Sequence, residues 1–247
     1  MPRNWVVNIP GISKQYSDTD YFAICPGDNF YDHSGNTLKT FKETLQATFI
    51  KTKPIEVKTP AVRIPFGTHA TEVLEITPAC YKELVLTPLG KRRMYYIPDY
   101  GSGWMPSSPH AHNAYVHKQD KKFNGRLKQL IQLVKAWKFY VDAPITSFYL
   151  ELRVTKYSEG RSDIVFDRDV RNVLKLLYDN ELASIQDPMK ISGLVDACKT
   201  MPQKEDAFSK LKTAFGRADK AYQLRNTNIG KSFEWWQKVY NGWFPSR

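Results

Sequence analysis

The sequence predicts an α+β fold, with strands and loops in the first half and helices in the second. Three observations lead there. The chain has 247 residues, 42% hydrophobic and 13% aromatic, which is enough for a sizeable core and argues against disorder. Short β-rich runs broken by Pro and Gly occupy the first hundred or so positions. Beyond them, apolar residues recur at helical spacing. The composition shifts near residue 105, so a mixed lobe is expected over 1–105 and a helical lobe over 106–247.

Each element has its own warrant. Tyr21, Phe22 and Ile24 with the Pro26-Gly27 stop predict a strand over 20–24. Leu38, Phe41, Leu45, Thr48 and Phe49 share one face of a helix over 36–49. Strands follow at 55–59, 61–64 and 72–77, the last ended by Pro78. Residues 91–97 form another strand, and the Gly, Ser and Pro of 98–109 read as a loop or crossover. Leu127, Leu130, Ile131, Val134 and Trp137 make one stripe of a helix over 125–140. Helices are also expected over 169–182 (Val170, Val173, Leu174, Leu177, Tyr178) and 205–224 (Phe208, Leu211, Phe215, Ala218, Tyr222). A short one over 232–240 carries Trp235 and Trp236. Residues 144–157 fit helix or strand equally well.

Bulk properties narrow the function. A net charge of +11 suits an anionic partner such as nucleotides, nucleic acid or a membrane surface, although most of these charges read as solvated lysines. No apolar run approaches the roughly 20 residues of a membrane span. No secretory leader is visible at the start. Cys25, Cys80 and Cys198 are far apart, odd in number and unlike a zinc spacing, so they read as reduced thiols of a cytoplasmic protein.

The most informative motif is Asp18-Thr-Asp20. Two carboxylates two residues apart on a strand lie on the same face and can share a metal ion. Glu75, in the β-rich run Val73-Leu-Glu-Ile-Thr-Pro-Ala79, is a third candidate ligand. Spacing alone is weak evidence, because Asp167-Arg-Asp169 repeats it at the start of a helical pattern. There the acids simply suit the first turn.

Further segments carry a resemblance. They are Tyr16-Ser-Asp-Thr-Asp-Tyr-Phe22, Glu75-Ile-Thr-Pro-Ala79, Tyr96-Ile-Pro-Asp99 with Gly103-Trp104, and Ser108-Pro-His-Ala-His-Asn-Ala114. Leu133-Val-Lys-Ala-Trp-Lys138, Ser147-Phe-Tyr-Leu-Glu151 and Asp187-Pro188 continue the series. In this order they resemble the bacterial CD-NTases of anti-phage CBASS systems, relatives of cyclic GMP-AMP synthase and oligoadenylate synthase. The resemblance implies a DNA polymerase β-like nucleotidyltransferase core followed by a helical lobe that completes the nucleotide cleft. It implies a template-independent synthase that joins NTPs into a cyclic di- or trinucleotide second messenger, releasing pyrophosphate, and a separate effector protein that the product activates. Asp18, Asp20 and Glu75 would bind two Mg²⁺ ions, with Mn²⁺ an alternative. Lys135 and Ser147 would contact the triphosphate, and Phe148 would stack on a base. Neither a membrane nor a nucleic-acid activator is expected, though the basic surface leaves the activator open.

Bland readings stand beside these. Lys135 lies on the flank of its apolar stripe, where lysines commonly snorkel. Ser147 fits a helix N-cap, and Phe148 fits a core aromatic. His110 and His112 have no third ligand nearby and read as loop residues. Relatives carry a Gly-Ser turn ahead of the Asp-x-Asp that cradles the donor phosphates. The candidate here is Gly11-Ile-Ser13, degenerate and close to Asp18, in a core that reads as N-terminally short. A second reading therefore stays open: an inactive nucleotide- or protein-binding module that has lost this turn.

Overall fold

Alternation of apolar side chains builds the first half of the chain around one sheet. This computed structural model describes residues 18–66, 72–101 and 103–245, with backbone alone for Asp18, Thr19, Asn29 and Glu72. Two compact units form, Met1–His112 and Asn113–Arg247.

The first unit holds β1 (Asp18–Ile24), α1 (Ser34–Thr48), β2 (Glu56–Lys58), β3 (Ala61–Phe66), β4 (Glu72–Thr87), β5 (Gly90–Pro98) and β6 (Trp104–Ser107). They make a six-stranded sheet in the order β2-β3-β4-β5-β6, with β1 paired to β4. The β1–β4 pairing is parallel, and the others are antiparallel. Leu38, Ile55, Val62 and Ile64 form a buried cluster with Phe41, Leu45, Phe49, Leu74 and Ile76 against it. This puts α1 on the face carrying Leu74 and Ile76, so period-two alternation puts Glu75 on the opposite face. A second cluster on that opposite face joins Ala79, Tyr95 and Ile97 with Phe22 and Met105.

Two expectations fail in this unit. The strand beginning at Glu72 does not stop at Pro78 but runs to Thr87. Ala79 O accepts from Cys25 N–H at 3.0 Å, so Ala79 turns its polar groups to β1 and Pro78 turns its nitrogen to the other edge. On that edge the β3 ladder ends at Val62↔Ile76, and no partner requires the missing N–H. The stretch expected as loop after Pro98 contains β6. Asp99 Oδ1 accepts from the N–H of Gly101 at 2.8 Å and Gly103 at 2.7 Å, turning β5 back into β6. A Cβ on Gly103 would lie 3.0 Å from Asp99 Oδ2, so this turn favours glycine there. Trp104 Nε1 then donates to the carbonyls of Tyr31 and Asp32, each at 3.2 Å, tying β6 to the approach to α1.

The second half contains α2 (Pro109–Lys122), α3 (Arg126–Tyr140), α4 (Ser147–Ser158), α5 (Phe166–Asp179), α6 (Met201–Leu224) and α7 (Ile229–Val239). A small hairpin of β7 (Ile185–Gln186) and β8 (Leu194–Val195) lies between α5 and α6. The ambiguous stretch 144–157 resolves as helix α4. The whole predicted stripe of α3 is buried, as are Val170, Val173, Leu174 and Leu177 of α5. On α6 the small residues Ala207, Ala214, Ala218 and Ala221 are buried beside Leu211. Phe208 and Phe215 instead stack on Tyr178 of α5, at 5.3 and 5.6 Å between ring centroids. The three cysteines are free thiols, and no described helix is long and apolar enough to cross a membrane.

Candidate active site

The β1–β4 register pairs Asp20 directly with Glu75. Adjacent strands lie about 4.8 Å apart, and a two-residue step along a strand is roughly 6.6 Å. Asp20 and Glu75 therefore lie side by side on the face opposite α1, and the backbone of Asp18 pairs with Val73. Asp20 is exposed and Glu75 half-buried. Hydrophobic packing produces this: Leu74 and Ile76 must meet α1, which leaves Glu75 the other face. The donors are oxygens alone, which suits a hard divalent cation such as Mg²⁺. Among the described residues no three His, Cys, Asp or Glu side chains converge as a metal site, and the Asp18 side chain is not one of those described. Gly11 and Ser13, the candidate phosphate turn, lie outside the described residues.

The same row holds a residue that sequence reasoning passed over. Arg63 on β3 is the antiparallel partner of Glu75, so Arg63, Glu75 and Asp20 run side by side across three strands. Its signal was an arginine between Val62 and Ile64, where period-two alternation points it away from the helix side.

The second Asp-x-Asp has a structural role. Asp169 is fully buried and accepts from Val165 N–H at 2.6 Å, the Tyr157 hydroxyl at 2.5 Å and Arg168 Nη2 at 2.8 Å. It closes the first turn of α5. Asp187 is likewise structural, because its carboxylate accepts from the N–H groups of Met189, Ile191 and Ser192.

The other candidates gather on α3 and α4. Lys135 Nζ meets Glu151 Oε1 at 2.8 Å, with the side chains 31% and 18% exposed. Lys138, one turn along, donates from Nζ to Ser147 Oγ at 3.3 Å. Burial lowers the pKa of Lys138, the charge of Lys135 lowers it further, and Asp142 opposes both. Ser147 is not the cap of α4. Thr146 takes that place, its hydroxyl accepting from Tyr149 N–H at 3.4 Å, and Ser147 is the first helical residue. This frees the Ser147 hydroxyl for other partners. Phe148, next to it, is half-buried.

His110 and His112 stand on the first turn of α2, not in a loop, with His110 exposed and His112 buried. The missed signal was Ser108-Pro109, a cap residue followed by proline at the first helical position. Ser108 Oγ accepts from Ala111 N–H at 3.4 Å and donates to Arg93 O at 2.7 Å.

No protein-family model matches the chain. A probable cyclic nucleotide synthase of Bacillus cereus is 23% identical over 245 residues, which is 98% of this chain and 70% of that protein. Among solved structures, CdnC of E. coli with ATP superposes with a TM-score of 0.72 at 16% identity, covering 93% of this chain and 79% of that one. The complex of CdnC with HORMA-deltaN gives 0.67 at 17% identity, covering 93% and 78%. The di-nucleotide cyclase DncV of Vibrio cholerae, in complex with GTP, gives 0.67 at 12% identity, covering 92% of this chain and 64% of that one. The chain shares the fold of these enzymes.

Proposed function

We propose that this chain is a member of the CD-NTase family with a polymerase β-like core, a template-independent nucleotidyltransferase that joins NTPs into a cyclic di- or trinucleotide for antiviral signalling. The observation that supports the reading is the register of β1 on β4, which pairs Asp20 with Glu75. The relatives support it: proteins of this fold include a di-nucleotide cyclase with GTP and CdnC with ATP.

In this reading the three carboxylates hold two Mg²⁺ ions, or Mn²⁺ in their place. Such ions lower the pKa of an attacking hydroxyl and neutralise charge on the leaving pyrophosphate. The chain's own residues bind and orient. Lys135 supplies positive charge to the donor triphosphate, the Ser147 hydroxyl donates to a phosphate oxygen, and the half-exposed ring of Phe148 offers a stacking surface to a base. Ser13 completes the phosphate contacts from the segment ahead of β1. Glu75 reaches one C–C bond further than an aspartate, a difference its flexible side chain absorbs. The product acts on a separate effector, and the HORMA complex of CdnC supports association with a partner protein.

The test is incubation of the purified chain with Mg²⁺ and mixed labelled NTPs. Phosphatase-resistant cyclic products are expected, and Asp20→Ala should abolish them. Undiminished product from that variant would remove the metal assignment. Nucleotide binding without product in any NTP mixture would favour an inactive binding module instead.

A further inference from the structure

The cluster on α3 and α4 holds more charge than the proposed function uses. Lys135 and Lys138 project from one side of α3, a turn apart, and Ser147 and Glu151 do the same on α4. The pairing is crossed, Lys135 to Glu151 at 2.8 Å and Lys138 to Ser147 at 3.3 Å. Of these two lysines Lys135 has the ion pair, and among the described residues Lys138 has a hydrogen bond only to a neutral hydroxyl. Asp142 acts on Lys138 through its charge but forms no ion pair with it. Lys135 and Lys138 repel one another, and burial raises the cost of charge on Lys138. A ligand with several linked anionic oxygens answers both problems at once, because it can bridge the two ammonium groups and accept from Ser147. Glu151 is the obstacle, since it occupies the lysine such a ligand needs.

We propose that Lys138 is a second polyphosphate-binding cation beside Lys135, and that Glu151 is an internal counter-ion which the polyphosphate displaces from Lys135. The proposal rests on the nucleotide reading above and deepens it. Lys135 is held in place by Glu151 until substrate arrives, and Lys138 reaches full neutralisation only when substrate is bound. The exchange is feasible because the Lys135–Glu151 pair is partly exposed, and such pairs are weak enough to break.

Inorganic tripolyphosphate without divalent cation is the probe, titrated calorimetrically into the full chain. The wild type should bind. Lys138→Met should bind about tenfold or more weakly, the loss of one hydrogen bond to a charged group, and Lys138→Arg should retain binding. Glu151→Gln should bind up to about fivefold more tightly, because the competing charge is gone. Thermal unfolding of each ligand-free variant checks that it is folded, and Lys138→Gln replaces the Met variant if that one is not. Unchanged affinity in the folded Lys138 variants, unchanged or weaker affinity in Glu151→Gln, or no binding by the wild type overturns the proposal. The cyclic-product assay separates this result from the function itself. Product formed with Lys138-independent tripolyphosphate binding removes the proposal and leaves the enzyme. Lys138-dependent binding without product removes the enzyme and leaves the anion site.

Discussion

Asp20 and Asp169 close two copies of the same Asp-x-Asp spacing, and their surroundings give them opposite roles. Asp20 is exposed at a sheet position where Glu75 is its neighbour. Asp169 is fully buried, and a backbone N–H, a tyrosine hydroxyl and an arginine all donate to it. Replacement by Asn should therefore separate activity from stability. Asp20→Asn should eliminate product while changing stability by less than about 0.5 kcal/mol, as exposed substitutions do. Asp169→Asn should leave the Arg168 guanidinium without its buried partner and lower stability by about 2–3 kcal/mol. Thermal unfolding beside the product assay reads both. A stable Asp169→Asn protein would mean that Asp163, which pairs with Arg168 at 2.8 Å, suffices alone. Spacing could not distinguish the two motifs in the sequence. What does so is burial, which depends on how the chain packs around each motif.

Elements show the same division between local and distant causes. Helices α3 and α5 could be read from the sequence because an amphipathic period is a local property of the chain. The end of β4 could not, because tolerance of Pro78 depends on where β3 stops on the neighbouring edge. Strand β6 was hidden for a similar reason: four residues pair with β5 only because Asp99 turns the chain. In the candidate site, the carboxylates were legible as residue types, but Arg63 beside Glu75 and the crossed pairing of Lys135 and Lys138 needed strand register and helix packing. The α4–α5 contact offers a test by pH. Burial, and then donation to Asp169, pushes the Tyr157 hydroxyl from the ordinary 10.0 up to about 12. Between these values the folded protein holds a proton that the unfolded chain has released, so unfolding becomes easier as pH rises. The contribution is intact below pH 10.0 and lost by about 12. Tyr157→Phe should flatten the alkaline decline of the melting temperature relative to wild type. Parallel declines in the two proteins would show that Tyr157 does not govern it.

At the scale of the whole molecule, the +11 net charge bears on substrate capture more than on the fold. Exposed charges act on a ligand through solvent, and raising salt from 0.1 M to 1 M shortens their reach from about 10 Å to about 3 Å. The ion pair of Lys135 with Glu151 and the hydrogen bond of Lys138 to Ser147 are direct and partly buried, so they are screened less. Salt should accordingly weaken nucleotide capture while sparing steps that follow binding. If the chain turns over NTPs, KM should rise several-fold across that range and kcat should change little. Neutralising a few exposed lysines outside the α3–α4 cluster, such as Lys91 on β5, should reduce the salt dependence without altering the affinity reached at 1 M. A KM that ignores salt would assign capture to the local cluster alone. A kcat that falls in step with it would mean that long-range charge also supports the arrangement needed for chemistry.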